Sequence, residues 1–255
     1  WQLNTSTIAA VLSNAPTGNT AIMVTDERFV FALGAGGNPR KIQWSDRENN
    51  NLWAAAATNE AGSIELQTSG VIQCGVRVQN QALILTTTDA HTATYSGPPY
   101  VYGVERVGTS CGCVSAQGVA VVDMGAVWMG RESFFVYSGG TVQELASDVS
   151  DYIYSDINVA QMSKIVAVSN AKFSEIRWFY PSAESTENNR YVAFNYQENT
   201  WTIGQIARTA AADAGVYRYP IYASPTDKKL YEHEVGFNYD TLTPFAETGP
   251  IILGT

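Results

Sequence analysis

The chain has 255 residues, of which only 15% are charged, and its formal net charge is −9 at pH 7. This length is enough to bury a large core, and the lack of any run of about 18 apolar residues excludes a membrane-spanning helix. The acidic balance argues against a conventional DNA-binding domain, because such domains draw most of their affinity from basic side chains that displace counterions from phosphates.

Twenty-one glycines and many aromatic residues favour short strands and tight turns over Glu/Lys-rich helices. The first such unit lies at residues 22–53, where strand patterns flank a turn at Asp26 and Glu27. A polar loop then ends where Leu52 and Trp53 restart the apolar pattern. The design recurs in five stretches, at residues 22–53, 70–96, 118–145, 165–204 and 219–234.

Repeated units of about 30–45 residues, each built from short strands, are typical of a β-propeller. The predicted fold class is therefore all-β, a propeller-like array of short antiparallel sheets over residues 1–240. The chain begins with Trp1 instead of Met and ends with an apolar segment at residues 250–253. We therefore expect an excerpt of a longer polypeptide, in which residues 241–255 begin a further β segment or domain. The N-terminus lacks the basic segment followed by an apolar core that would indicate a signal peptide.

One segment, residues 147–165, lacks strand alternation. Ser147 and Asp148 are capping candidates, and Val149, Ile153 and Ile157 recur at helical spacing. The pattern predicts one or two short helical turns packed against the propeller rim, with a binding motif as the alternative.

Five tryptophans recur about once per unit: Trp44, Trp53, Trp128, Trp178 and Trp201. We predict that they form the structural core between blades, at equivalent positions in each blade. The alternative is a sugar-binding or base-stacking surface.

Glu232, His233 and Glu234 could ligate a metal or transfer protons. Successive strand residues point to opposite faces, so His233 should point away from both carboxylates, and a structural histidine between blades is favoured. Three cysteines, Cys74, Cys111 and Cys113, cannot all pair and lack the spacing of a zinc site, so buried reduced thiols are predicted.

The glycines of residues 33–39 lack the Gly-Lys-Ser/Thr of a phosphate loop, and the polar loop that follows Trp44 lacks the spaced acids of a calcium loop. We predict no catalytic residue, no cofactor and no metal.

Several strings, taken in order, resemble the β-propeller nozzle or tubular proteins in the tails of short-tailed bacteriophages. They are IQWSDRENNNLW, VWMGRESFFVYSGGTVQEL, RWFYPSAESTENNRYVAFNYQENTWTIG, residues 207–210 and LYEHEVGF. The resemblance covers residues 29–237.

This resemblance implies a structural virion protein in the phage tail, assembled in the cytoplasm of the host bacterium. Its partners would be copies of itself in a ring, expected to be a homo-hexamer, together with the portal, the adaptor and other tail proteins. Packaged DNA would pass through the ring without sequence-specific binding, so that the ring helps to retain the genome and to release it. The family has no catalytic residues to carry over.

Closed rings use heterologous interfaces. The candidate interface loop contains Pro181, Glu184, Glu187 and Asn189. The alternative function is a carbohydrate-recognising or glycan-degrading propeller, such as a receptor-binding tail component, whose mark would be exposed aromatic residues beside carboxylates.

Overall fold

Five antiparallel sheets follow one another along the chain in the computed structural model, which describes residues 11–12 and 14–236. The first sheet contains β1–β4, at Ala21–Val24, Val30–Leu33, Lys41–Trp44 and Gly62–Glu65. The second contains β5–β8, at Ile72–Val78, Gln81–Thr86, Asp89–Gly97 and Val101–Thr109. The third contains β9–β12, at Val119–Val122, Gly125–Met129, Phe134–Ser138 and Thr141–Leu145.

The fourth sheet contains β13–β16, at Val166–Asn170, Glu175–Tyr180, Arg190–Asn195 and Thr200–Gly204. The fifth contains β17–β19, at Ala210–Ala212, Ile221–Ala223 and Leu230–Glu232. Every sheet is a meander in which strands adjacent in space are adjacent in sequence. The predicted all-β, propeller-like array is confirmed. The segment predicted at residues 241–255 lies outside the described residues.

The sheets are arranged around a row of first strands, in which β1 neighbours β5, β5 neighbours β9, β9 neighbours β13 and β13 neighbours β17. Gln117 and Val166 form a parallel bridge, and the amide of Ala167 donates to the carbonyl of Gln117 at 2.7 Å. The chain therefore enters the third and fourth sheets in the same direction, as it does in successive blades of a propeller.

Apolar clusters join each sheet to the next, one cluster at each of the four contacts between successive sheets. Strand β14 shows how, because Ile176, Trp178 and Tyr180 lie in the cluster with the third sheet whereas Phe179 lies in the cluster with the fifth. A strand covered on both faces needs apolar residues at successive positions. This explains the uninterrupted Trp-Phe-Tyr run.

Tight hairpin turns connect neighbouring strands. Between β11 and β12, Gly139 and Gly140 have φ of 59° and 87°, and between β5 and β6, Gln79 and Asn80 have φ of 50° and 63°. Consecutive positive φ values match the twist of the flanking strands. Both turns lie where the sequence predicts them.

The helical segment contains α1 at Ser150–Asp156 and a 3₁₀ turn at Val159–Lys164, as predicted. Ile153 and Ile157 are buried in the cluster between the third and fourth sheets. The prediction of Ser147 or Asp148 as the N-cap is wrong, because the N-cap residue is Val149. The hydroxyl of Ser147 only accepts a hydrogen bond from the backbone amide of Val149. Two further 3₁₀ turns lie at Ala35–Gly37 and Ala171–Phe173, and no helix in the described part of the chain is long and apolar enough to span a bilayer.

The apolar pattern that restarts at Leu52 and Trp53 does not form a strand, since both residues lie in the loop between β3 and β4. Trp53 packs on Ala32 and Ala35, on the face of the first sheet that points away from the second sheet. The apolar signal at Trp53 reflects this covering role, and the actual fourth strand carries only one large apolar residue, Ile64.

We expect Trp178→Ala to lower the free energy of unfolding by about 3–5 kcal/mol, because the indole is fully buried. Its Nε1 also donates to the carbonyl of Gly118 at 2.9 Å. Trp201→Ala, at a half-buried position in the same sheet, should cost clearly less. Denaturant unfolding measures both variants, and equal losses would contradict the assigned packing.

Candidate functional site

A cleft of about 1150 Å³ opens between the second and third sheets. It is bordered by the β6–β7 turn, the end of β8, the connection to the third sheet, the β10–β11 turn and β12. The side chains that carry charge in this lining are Asp89, Arg106, Arg131, Glu132 and Glu144. It brings charged groups from the second and third sheets into one lining.

Asp89, in the wall of the cleft, forms the centre of a buried hydrogen-bond network. Its carboxylate accepts bonds from the hydroxyls of Thr68, at 2.7 Å, and Thr86, and it lies 3.3 Å from Nε2 of His91. Thr68 belongs to the connection between the first and second sheets. The network therefore joins that connection to the β6–β7 turn.

Opposing effects determine the pKa values of Asp89 and His91 in this network. Burial raises the pKa of Asp89, but hydrogen bonds from Thr86 and Thr68 and the proximity of His91 together hold it below its usual value. Burial lowers the pKa of His91, against the attraction of Asp89 and with a further lowering by Arg106. A carboxylate therefore faces a neutral imidazole at neutral pH.

This pair does not form a catalytic arrangement. Both threonine hydroxyls donate to Asp89, and Nε2 of His91 has no hydrogen-bond partner among the described residues. A nucleophile activated by histidine would instead hydrogen-bond to the imidazole. The network holds the cleft wall in place.

The sequence analysis missed this network and the cleft. The available signal was the run of residues 86–91, Thr-Thr-Thr-Asp-Ala-His, which places an acid and a histidine two positions apart on one strand face. Local sequence gives no sign of the other members. Thr68 lies on the connection between the first and second sheets, and Arg106 and Arg131 line one cleft only because the second and third sheets pack together.

Glu232, His233 and Glu234 are not arranged as the strand pattern predicts. Strand β19 ends at Glu232, and Glu234 has φ of 62°, which breaks the alternation. Glu234 accepts a bond from Arg177 at 3.0 Å, whereas Nε2 of His233 accepts from Nε of Arg208 at 2.9 Å. Glu234 and His233 therefore have separate partners.

His233 stacks on Tyr222 with ring centroids 4.0 Å apart. These contacts lie beside the junction of the fourth and fifth sheets, because Tyr222 belongs to the apolar cluster between them and Arg208 lies on the connection that leads from β16 into β17. Burial, followed by the positive charges of Arg208 and Arg177, lowers the pKa of His233 to about 4. Among the described residues, no group of three or more His, Cys, Asp or Glu side chains could hold a metal ion.

The five tryptophans occupy different kinds of position: Trp44 on β3, Trp53 in a loop, Trp128 on β10, Trp178 on β14 and Trp201 on β16. All are buried except Trp201, which is half-buried. Only Trp128 and Trp178 are equivalent, on second strands and in contact with the preceding sheet. The expectation of equivalent positions therefore fails for the other three, and the five do not surround one pocket.

The candidate interface loop is held by its own chain. Pro181 is buried, and Asn189 accepts a bond from the amide of Ser182 at 2.8 Å. Glu187 forms an ion pair with Lys164 of the 3₁₀ turn. Of the four predicted residues, Glu184 and Glu187 are exposed.

The cysteines, Cys74, Cys111 and Cys113, are buried and unpaired, as predicted. Contact with Cys113, together with burial, raises the pKa of Cys74, and burial raises the pKa of Cys111 to about 11. Both thiols are therefore protonated and unreactive at neutral pH.

No protein-family model matches the chain, and no curated protein sequence matches it. Solved structures with a similar arrangement include the dihydro-heme d1 dehydrogenase NirN, at 10% identity over 80% of this chain and 41% of that one, with a TM-score of 0.48. The N-terminal domain of Nup159 gives 10% identity over 83% of this chain and 59% of that one, with a TM-score of 0.48.

The WD40 domain of SCAP from fission yeast gives 5% identity over 79% of this chain and 56% of that one, with a TM-score of 0.38. The chain spans less than two thirds of the length of each of these three structures. The fold defines the class, a propeller-like all-β protein.

We expect Asp89→Ala to lower the free energy of unfolding by about 1.5–3 kcal/mol, because bonds to a charged acceptor are lost and two hydroxyls are left without it. Asp123→Ala, at an exposed turn between β9 and β10, is the matched control and should change stability little. Denaturant unfolding at neutral pH makes the comparison, and equal effects would show that the network contributes nothing.

His233 should make stability depend on pH. Its folded pKa of about 4 is below the ordinary value of 6.5, so between these values the unfolded state binds the proton more readily. The stabilisation is complete above pH 6.5 and is lost as pH falls towards 4.

His233→Gln should flatten the plot of unfolding free energy against pH across this window, leaving the smaller slope due to His91. Glu232→Gln, at the neighbouring exposed position, should retain the slope of the unaltered chain. An unchanged slope in His233→Gln would contradict the assigned environment.

Proposed function

We propose that the chain is a structural component of the tail of a short-tailed phage, a nozzle or tubular protein that forms a ring below the portal and adaptor. In this proposal it assembles in the host cytoplasm, becomes part of the virion and lines a conduit through which DNA is retained and then ejected. The ordered strings that resemble this family support the proposal.

The observation that carries the proposal is the exposed apolar surface at both ends of the row of sheets. Ile22 and Val24 on β1 are 71% and 51% exposed, and Leu230 on β19 is 73% exposed. Contiguous apolar exposure commonly marks an interaction surface. Two different surfaces at the two ends suit a heterologous contact, the kind that closes a ring of identical subunits.

The last sheet adds to its end surface. Register places Ala210, Ala223 and Leu230 on one face, opposite to the face through which Tyr222 packs on the fourth sheet. Small side chains on that face permit close approach of a neighbour. Together with Ile22 and Val24 they define the two halves of the proposed contact.

Charge also supports a conduit. The net charge of −9 makes the chain repel phosphates, so moving DNA would not be held on its surface. Structural components of this kind need no reaction of their own. In the proposed ring, Glu184 and Glu187 lie on the exposed part of the candidate interface loop.

We expect the purified chain to form a closed oligomer, predicted to be a hexamer, and the double variant Ile22→Lys with Val24→Lys to be monomeric, because charge at the contact is costly to bury. Val159→Lys, which places the same charge at an apolar residue that is 64% exposed on the 3₁₀ turn, is the control and should still assemble. Light scattering coupled to size exclusion measures the mass.

Electron microscopy of particles that contain the tagged chain should show it on the tail axis, beneath the portal. A chain that stays monomeric at every concentration and is absent from particles would contradict the proposal.

A further inference from the structure

The cleft between the second and third sheets contains two arginines without partners. Of the ten arginines in the chain, five form ion pairs, namely Arg28, Arg40, Arg77, Arg177 and Arg190. Three others stack on aromatic rings or hydrogen-bond, namely Arg47, Arg208 and Arg218. The remaining two, Arg106 and Arg131, make neither kind of contact with the described residues, and both line this cleft.

The two arginines reach the cleft from different sheets. Arg106 lies on β8, paired in register with His91, and Arg131 lies in the turn between β10 and β11. Both are exposed. In a chain with 24 acidic residues, two guanidinium groups that face one concavity without an acidic partner are available to an external anion. Guanidinium groups bind carboxylates through paired hydrogen bonds.

The rest of the lining selects among anions. Hydroxyl side chains are frequent there: Ser69, Thr87, Thr88, Thr109, Ser110 and Ser133. Glu132 and Glu144 lie in the same wall and would repel a densely charged chain of phosphates or glutamates. Hydroxyls and carboxylates together suit a ligand that carries several hydroxyl groups beside each of its negative charges.

An apolar floor completes the cleft. Phe135 and Val142 line it, and Phe135 stacks on the buried indole of Trp128 with ring centroids 5.9 Å apart. This stack fixes the orientation of Phe135, whose ring can contact the C–H face of a sugar. The volume of about 1150 Å³ exceeds the roughly 300–1,000 Å³ of typical small-molecule pockets, which gives room for more than one sugar ring.

We propose that this cleft binds an acidic oligosaccharide, a chain of hexuronic acid units, with Arg106 and Arg131 on its carboxylates and the hydroxyl and glutamate side chains on its hydroxyls. This role in recognition goes beyond the proposed structural function and does not depend on ring formation. Binding involves no covalent step.

The test titrates the chain with a galacturonic acid trisaccharide in a calorimeter at low salt. We expect saturable binding, and we expect the uncharged galactose trisaccharide of the same linkage to bind at least about tenfold more weakly, because the charge-assisted bonds are lost. Added salt should weaken binding of the acidic sugar.

Variants locate the site. Arg106→Gln and Arg131→Gln should each weaken binding roughly tenfold. Arg218→Gln, at an exposed arginine remote from the cleft, is the matched control and should bind as the unaltered chain does. Because Arg106 and Arg131 are exposed and unpartnered, both variants should unfold at the same denaturant concentration as the unaltered chain.

Three results would overturn the proposal: no binding of the acidic trisaccharide at millimolar concentration, equal binding of the neutral sugar, or equal loss in Arg218→Gln. Tighter binding of hexaglutamate than of the sugar would identify an acidic peptide as the ligand and would also overturn it. The double variant Ile22→Lys with Val24→Lys should bind the sugar normally, which separates this test from that of the ring.

Discussion

Face-to-face stacking of sheets is the constraint on which the structure depends. Within residues 14–236, none of the five sheets has more than four strands, and such a small sheet cannot bury an apolar face by itself. Each inner sheet therefore presents apolar side chains on both faces, as β14 does with Trp178 on one side and Phe179 on the other. Charged groups are left to the turns, the connections and the outermost strands, where the charged cleft is found.

The sequence predicted most of the fold because strand alternation, glycine turns and unit spacing are local signals. Gly139, Gly140 and Asn80 mark hairpins through their own backbone preferences. The apolar pattern at Trp53 is ambiguous, because a tryptophan of this kind can belong to a strand or can cover a strand from a loop. The distinction depends on which apolar face of the sheet is left exposed by the neighbouring sheet, and the local sequence pattern does not contain this information.

The candidate site was much less predictable, for a physical reason. Asp89 and His91 are close in sequence, but Thr68 joins them through a connection from another sheet, and Arg106 and Arg131 line one cleft only because two sheets pack together. For the segment at residues 232–234, ideal strand geometry was assumed, and one residue with positive φ was enough to separate Glu234 from Glu232. Sites made from strand ends depend on tertiary packing, whereas strands depend on neighbours in the chain.

Trp53 limits the apolar surface that the first sheet exposes. By lying over Ala32 and Ala35, it covers part of the outer face of this sheet, beside the exposed strip along β1 that contains Ile22 and Val24. Indiscriminate sticking of flat sheet surfaces is thereby limited. The loop that carries Trp53 therefore reduces the apolar area that the first sheet offers to solvent and to other molecules.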